Sequence, residues 1–246
     1  MNETGREFME KTKYAHMGNS PQQQGLAQPP LQLETPTSAR WIELPKPVDT
    51  SFPGLDLRQA IEQRVSVRQY SKQPLSLDEL SMLLWLTQGV KETTQRPVTL
   101  RTVPSAGARH AFETYLLANR VEGLPAGLYR FMAIEHALVE VDLAPGLVNR
   151  LEKACLGQKM ISTCAAVFVW AAVVERMTWR YIERGYRYLH LDAGHVCQNL
   201  YLAGEALGCG TCAIGAYDDD EVNELLGLDG KEMLVVYLAT LGKKRR

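Results

Sequence analysis

A helical period governs the apolar positions between Arg184 and Leu207. Apolar residues recur there at alternating spacings of four and three, at Leu189, Ala193, Val196, Leu200, Ala203 and Leu207. This spacing places them on one face of a helix. Few charges interrupt the run, so we expect a long helix that is buried on most sides, at the core of the domain or of a dimer. Small residues on a neighbouring face, such as Gly194 and Gly204, would let a second backbone approach closely.

Apolar runs and alternating segments predict six strands, over 113–121, 127–133, 136–143, 165–174, 209–215 and 233–241. The first three are separated by short turns and predict an antiparallel meander. The continuous apolar run over 165–174 is typical of a central, buried strand. Predicted helices cover 55–64, 76–89, 145–155 and 221–226, the second opened by a capping box of Ser76 and Glu79. This order fits an α+β fold, with a mostly antiparallel central sheet packed by helices.

The first 48 residues differ from the rest, because they are polar and rich in Gln, Pro, Thr and Ser. We predict a mostly irregular N-terminal arm over 1–48, which wraps the domain or is partly disordered, and one folded domain over 49–246. The formal net charge of −1 argues against a nucleic-acid surface. No apolar run is long enough to span a bilayer, and the N-terminus lacks an apolar signal core. With five cysteines and no disulfide framework, we expect a cytoplasmic protein.

Candidate chemistry begins with the segment after the first predicted domain helix. If this segment is extended, alternation places Arg64, Ser66 and Arg68 on one side. Two guanidinium groups and a hydroxyl on one side suit a phosphate or an electron-rich ring edge. The same pattern also fits an exposed strand edge.

Two further segments are compatible with ligand binding. Small residues in Pro104-Ser105-Ala106-Gly107 would let backbone N–H groups approach a ligand, although an ordinary loop would look similar. The chain ends in Lys243-Lys244-Arg245-Arg246, which suits a phosphate site or a solvated tail.

Other cofactor and metal motifs are not supported. Cys209-Gly210-Thr211-Cys212 is a C-x-x-C sequence without a second spaced pair, and it lies in a predicted apolar strand. We therefore expect no metal site, and buried thiols that pack as small hydrophobic groups. No Gly-x-Gly-x-x-Gly follows a strand and no Walker motif is present, so a Rossmann or P-loop nucleotide site is not indicated.

Taken together, these segments resemble the FMN-dependent nitroreductase superfamily, and within it the SagB/McbC-type branch of thiazole- and oxazole-forming peptide dehydrogenases. The likeness runs from about Leu44 to the C-terminus. It is carried by Arg64-x-Ser66-x-Arg68-x-Tyr70, Pro104-Ser105-Ala106-Gly107, Tyr186-Arg187-Tyr188, Asp192-Ala193-Gly194-His195, Gln198-Asn199-Leu200, Ile214-Gly215-Ala216-Tyr217 and the basic end after Gly242. The order and spacing of the set are more specific than any one segment.

The resemblance implies a nitroreductase-like fold and a homodimer with the long helix at its interface and FMN between the subunits. It implies that Arg64, Ser66 and Arg68 contact the phosphate, ribityl chain and pyrimidine edge, with Lys243, Lys244 and Arg246 completing the phosphate site. Pro104, Ser105, Ala106 and Gly107 would line the flavin from the other subunit. Backbone N–H groups of Gly215 and Ala216 would lie near N5, and Gln158 and Lys159 at the flavin edge. Arg187, on the dimer helix, is expected to affect assembly.

One position departs from the family pattern. Azole-forming members carry a Lys-Tyr pair before the long helix that removes a proton, and here the pair is Arg180-Tyr181. Arginine stays protonated and is a poor base, whereas Tyr181 remains a candidate proton donor. We therefore take Arg180 and Tyr181 as candidate catalytic residues without predicting azole synthesis.

The functional hypothesis is an FMN-dependent oxidoreductase that transfers hydride through flavin N5 by a ping-pong mechanism. NAD(P)H or an organic molecule would be the donor, and a nitroaromatic, a quinone or another small molecule the acceptor. Two alternatives stay open, an azoline or peptide-tailoring dehydrogenase and a flavin-binding module without turnover. No nucleic-acid or membrane partner is expected.

Overall fold

A seven-stranded antiparallel sheet organises the part of the chain that our computed structural model describes, residues 3–245. In chain order the strands are β1 (Trp41–Glu43), β2 (Val90–Thr93), β3 (Thr99–Arg101), β4 (Phe112–Ala118), β5 (Gly127–Met132), β6 (Ala137–Asp142), β7 (Ala166–Val173), β8 (Cys209–Ile214) and β9 (Met233–Lys243). The sheet order is β1-β6-β5-β4-β7-β9-β8, and β2 and β3 pair separately. This confirms the predicted antiparallel meander and the central position of the apolar run in β7.

Helices pack against both faces of the sheet, and a further helix lies in the N-terminal segment. They are α1 (Glu3–Lys11), α2 (Leu57–Gln63), α3 (Leu77–Gln88), α4 (Leu147–Ala154), α5 (Met160–Thr163), α6 (Val174–Tyr181), α7 (Gly185–Ala206) and α8 (Asp219–Leu226). The capping box at the start of α3 forms as predicted, since Ser76 and Glu79 exchange hydrogen bonds at 3.1 and 3.0 Å. The α+β prediction is confirmed. Among the described residues, no helix combines the length and apolar character needed to cross a bilayer.

The long helix α7 buries the face that the apolar spacing predicted, including Leu189, Val196 and Leu200. The small-residue face divides in two. A Cβ on Gly204 would lie 3.0 Å from Thr211 Oγ1 of β8, whereas a Cβ on Gly194 would meet nothing within 4 Å. One glycine therefore lets α7 pack on its own sheet, and the other lies on an open surface.

Two segments differ from the sequence prediction. The polar stretch after α3 forms the β2–β3 hairpin rather than a loop. The chain after β7 turns at once into α6, because the apolar run that marks the strand continues into the buried face of that helix, at Val174 and Met177. Ile182, with φ of 50°, then separates α6 from α7.

The N-terminal segment was expected to be mostly irregular, and within it the structure forms α1 and β1. Strand β1 extends the sheet by pairing with β6. The residues between α1 and β1 are held by hydrogen bonds to Trp179, which is buried. The amide of Gln22 donates to the Trp179 carbonyl at 2.9 Å, and the Trp179 indole donates to the Leu26 carbonyl at 3.0 Å. The arm therefore lies against α6, although its composition resembles that of a disordered tail.

Candidate functional site

The segment after α2 lies along the outer edge of the sheet. Ser66 forms a parallel bridge with Thr211 of β8, and the Val67 amide donates to the Thr211 carbonyl at 2.9 Å. A Cβ on Gly210 would lie 2.4 Å from the side chain of Val67. Glycine at this position therefore permits the close approach. Pairing with β8 holds the 64–68 segment extended, which is the condition for the predicted alternation.

This pairing brings Arg64, Ser66 and Tyr201 together beside α7. The Ser66 and Tyr201 hydroxyls lie 3.0 Å apart, and the Arg64 guanidinium lies 5.3 Å from the centre of the Tyr201 ring. Arg68 is exposed on the same edge. Within residues 3–245, neither Arg64 nor Arg68 forms an ion pair with a carboxylate. Their charges remain available to an anion. Tyr201 escaped the sequence prediction, because it lies among small residues on a helix face.

The C-terminal cations behave differently from one another. The ammonium group of Lys243 contacts Glu79 and donates to the Leu207 carbonyl at 3.0 Å, and that of Lys244 pairs with Glu205. Both lysines thus already have carboxylate partners. Arg246 lies outside the described residues.

Arg245 is a candidate that the sequence prediction did not select. Its Nε donates to the Tyr70 carbonyl at 3.0 Å, and its Nη1 donates to Gln69 at 3.3 Å. Among the described residues it has no carboxylate partner. The sequence signal for Arg245 was its place in the run of four terminal cations. The structure sets Arg245 beside the 64–70 segment, where Lys243 and Lys244 had been expected to act.

The turn after β8 lies close to the loop between α4 and α5. Gly215 and Ala216 follow the last pairing of β8 with β9, and both are exposed. Gln158 reaches this turn, since its side-chain amide donates to the Ala216 carbonyl at 2.8 Å. Lys159 instead pairs with Glu152 at 2.6 Å and is otherwise exposed. The structure therefore joins three of these four predicted residues and directs Lys159 away.

The 104–107 loop is fixed to the N-terminal half of α7. Ser105 donates its hydroxyl hydrogen to Asp192 at 2.6 Å, and the Ala106 amide contacts the same carboxylate at 3.2 Å. Pro104 is exposed. Asp192 is a partner that the sequence prediction missed; its signal was a lone acid on a mostly apolar helix face.

Gly107 brings this loop against the Arg180-Tyr181 pair. It has φ of +58°, and a Cβ there would lie 2.5 Å from the Tyr181 hydroxyl and 2.9 Å from Arg180 Nε. Both the conformation and the contact favour glycine. The rings of Tyr181 and Tyr188 meet edge to face with centroids 4.7 Å apart. The 104–107 loop and the Arg180-Tyr181 pair therefore form one cluster.

Two sets of predicted site residues contact α7 within one chain: an edge group of Arg64, Ser66 and Arg68, beside Arg245, and a loop group of residues 104–107 with Arg180 and Tyr181. The edge group contacts α7 at Tyr201, and the loop group contacts it at Asp192. Nine residues of helix separate these contacts, which is a rise of about 14 Å at 1.5 Å per residue.

The thiols of the C-x-x-C segment belong to the core. Cys209 and Cys212 are buried in β8. Burial raises the pKa of the Cys209 thiol to about 12. This thiol is therefore protonated near neutral pH and is a poor nucleophile.

Comparison with known proteins places these features in one family. The family model described as "Nitroreductase family" matches residues 61–243. The chain is 37% identical over 182 residues to the protein MJ1384 of Methanocaldococcus jannaschii, covering 74% of this chain and 89% of that one. A solved nitroreductase-type structure from Ralstonia eutropha has a TM-score of 0.70 at 26% identity, covering 86% and 93% of the two chains. The predicted nitroreductase-like fold is confirmed.

A second relative supports the branch that the sequence resembles. The chain is 29% identical over 163 residues to the trifolitoxin-processing protein TfxB of Rhizobium leguminosarum bv. trifolii. The match covers 63% of this chain and 44% of TfxB, so the chain spans less than half of that relative. The resemblance to the SagB/McbC-type branch is confirmed by this likeness.

Proposed function

This chain belongs to the nitroreductase family, a family of FMN-dependent oxidoreductases, and we propose that it acts as a homodimer that transfers hydride from a donor to a small-molecule acceptor. NADH or NADPH is the proposed donor, and a nitroaromatic or a quinone the proposed acceptor. The observation that carries the proposal is the set of arginines along the sheet edge that have no carboxylate partner among residues 3–245, together with the Ser66 hydroxyl, at the positions where the family motif lies.

The edge group fits the chemistry of FMN. A phosphate dianion takes charged and hydroxyl donors, and Arg64, Arg68, Arg245 and Ser66 supply both kinds along the sheet edge. The lysines fit less well, because Glu79 and Glu205 already neutralise Lys243 and Lys244. In this proposal Arg64, Ser66, Arg68 and Arg245 hold the phosphate and ribityl end. The exposed turn at Gly215 and Ala216 faces the ring system.

Bound FMN would supply the hydride chemistry at N5, and the chain supplies position and charge. Donor and acceptor would occupy the same face in turn, which is the basis of a ping-pong mechanism. In this proposal the Tyr181 hydroxyl, which lies beside the 104–107 loop, gives a proton to the acceptor. Arg180 keeps its positive charge and attracts anionic groups rather than removing protons.

A homodimer would complete the site. The two groups of residues lie about 14 Å apart along α7 in one chain. Antiparallel packing of two α7 helices would bring the loop group of one subunit to the edge group of its partner. The open surface around Gly194 and the exposed side chain of Leu191 support this arrangement.

Peptide tailoring is the second candidate function, and the likeness to the processing protein TfxB favours it. In that case a heterocycle in a peptide would be the hydride donor to FMN. Arg180 in place of the lysine of azole-forming members leaves Tyr181 as the proton-transferring group in this cluster.

The test is the visible spectrum of the purified protein, followed by anaerobic titration with NADH and NADPH. Flavin bands near about 450 nm that bleach with either nucleotide support the reductase, and parallel lines in double-reciprocal plots support the ping-pong order. Bands that bleach only with an azoline-containing peptide favour the second candidate. A protein without flavin bands, even after FMN is added, contradicts both.

A further inference from the structure

A cavity of 460 Å³ lies between the N-terminal arm and the corner where α6 meets α7. Its volume is in the range of sites for small organic ligands. The inner wall includes Arg180, Tyr181 and Arg184, and the outer wall is made by residues 14–23 of the arm. Since Gly107 touches both Arg180 and Tyr181, the cavity lies beside the loop that would line the flavin.

The charges that line this cavity are all positive. Arg180 and Arg184 are its charged lining residues, and its other described lining residues are neutral. Within residues 3–245 the Arg180 guanidinium has no carboxylate partner, and it lies near the Tyr181 ring and Gly107. Arg184 donates to the Tyr188 hydroxyl and to the Thr12 carbonyl, both at 2.9 Å and both neutral acceptors. Neither charge is neutralised by the described chain.

A third guanidinium, that of Arg109, lies in the same region of excess positive charge. Arg109 stacks on Trp179 at 5.2 Å and donates to the Gly107 carbonyl at 3.1 Å. Burial lowers the pKa of Arg109, and the nearby charge of Arg180 lowers it further. An anion between Arg180 and Arg184 would relieve this repulsion.

The arm that closes the cavity is held in a defined position. Its amide at Gln22 and its carbonyl at Leu26 bond to Trp179, next to Arg180 in sequence. Ser20 and Gln23 exchange side-chain to backbone bonds at 2.8 and 3.3 Å, which fixes the turn of the outer wall. Tyr14 packs against the Arg184 guanidinium at 4.3 Å. The cavity is therefore built by the chain itself and includes polar groups on both walls.

We propose that this cavity binds the carboxylate of a small organic substrate, through Arg180 and Arg184, and so selects anionic substrates for the reaction at the flavin. The inference rests on the proposed function for the reaction, and on the cavity alone for the binding. A carboxylate can accept two parallel bonds from a guanidinium, which fixes orientation as well as charge. Tyr181, in the same wall, would then face the reacting end of the substrate.

The first test measures binding by calorimetry with the full-length protein, using benzoate and its neutral analogue benzamide. We expect benzoate to bind about tenfold more tightly, because it gains charged hydrogen bonds. Arg180→Gln should remove this preference and Arg180→Lys should keep part of it. The control is Arg58→Gln, which removes an exposed guanidinium on α2, outside the cavity. Equal affinities for the two ligands, or an equal loss in the control, would overturn the proposal.

The second test compares kcat/KM for 4-nitrobenzoate and 4-nitrobenzamide with the same electron donor. A preference for the carboxylate that Arg180→Gln abolishes supports the substrate class. An equal kcat/KM would overturn it, even if benzoate binds. Arg180→Gln could instead change the ratio of NADPH to NADH use and leave the preference for the carboxylate unchanged. That result would assign the cations to a nucleotide phosphate and would also overturn the proposal. Benzoate binding to a protein that takes up no FMN would instead refute the proposed function and leave the anion site standing.

Discussion

Ser105 donates its hydroxyl hydrogen to Asp192 across 2.6 Å, and this bond joins the 104–107 loop to the long helix. The His110 amide in turn donates to the Ser105 oxygen at 2.9 Å. Burial is nevertheless the largest influence on Asp192 and raises its pKa above 3.8, the ordinary value, although Ser105 and Ala106 act in the opposite direction. Burial therefore opposes the ionisation of the carboxylate that holds the loop.

This relationship predicts a dependence of stability on pH. The folded protein holds a proton on Asp192 to a higher pH than the unfolded chain does. The contribution of this carboxyl to the free energy of unfolding therefore falls as pH rises above 3.8, and it levels off above the raised pKa. Asp192→Asn removes this contribution. Urea unfolding at several pH values should show the variant gaining stability relative to the parent across that window, and a constant difference would contradict the assignment.

Arg68→Ala should weaken FMN binding by about 1–3 kcal/mol, or about 5- to 150-fold in Kd, because a charged donor to the phosphate is lost. Arg58→Ala is the control, since Arg58 lies on α2, is exposed and pairs with Glu62. Fluorescence titration of the two apoproteins with FMN measures both constants. Equal affinities in the two variants would remove Arg68 from the flavin site.

Gly107→Ala should destabilise the fold more than Gly123→Ala. Both glycines have positive φ, +58° and +73°, so both variants carry a similar backbone penalty of about 1–2 kcal/mol. A new Cβ at residue 107 also lies 2.5 Å from the Tyr181 hydroxyl, whereas one at residue 123 meets nothing within 4 Å. Adding Tyr181→Phe should recover part of the loss at residue 107 in a double-mutant cycle. Identical losses at the two glycines would mean that the contact with Tyr181 is not formed.

Arg176→Met should destabilise the protein by about 3–5 kcal/mol, because it leaves the buried charge of Glu113 unpaired. The two side chains are each 3% exposed and meet at 2.6 Å. Arg176 also donates to the Pro30 carbonyl at 2.7 Å, so the arm should become more sensitive to limited proteolysis. Arg40→Met, which removes a more exposed pair with Glu140, should cost about 0–1 kcal/mol. Similar losses of stability in the two variants would argue against the buried pair.

Leu191→Asp should disrupt the proposed homodimer. Leu191 is 58% exposed on α7, near the open surface at Gly194. A charge there would lie within the apolar contact between two helices. Light scattering should show a loss of the dimer mass, while Val48→Asp, which alters a residue that is 87% exposed in the N-terminal segment, should leave it unchanged. A monomeric parent protein would contradict the homodimer itself.

Arg187 was expected to affect assembly, which stays a prediction, and the structure shows its contacts within the chain. Its guanidinium donates to the Thr12 hydroxyl at 2.6 Å and to the Met9 carbonyl. It therefore fixes the N-terminal arm to α7 within one chain. Sequence position on the helix was correct, but the partner of this side chain came from a segment 175 residues away.

Periodic apolar spacing was sufficient to predict α7, the meander β4–β6 and the central strand β7, because burial of an apolar face determines local structure directly. Alternation along an extended segment likewise predicts that Arg64, Ser66 and Arg68 share one side, and the structure brings Arg64 and Ser66 together at Tyr201. Only the tertiary structure decided which cations have partners, since Lys243 and Lys244 meet Glu79 and Glu205 from distant segments. It alone placed the polar arm over Arg180 and Tyr181, because hydrogen bonds from buried groups such as Trp179 can order a segment whose own composition favours disorder.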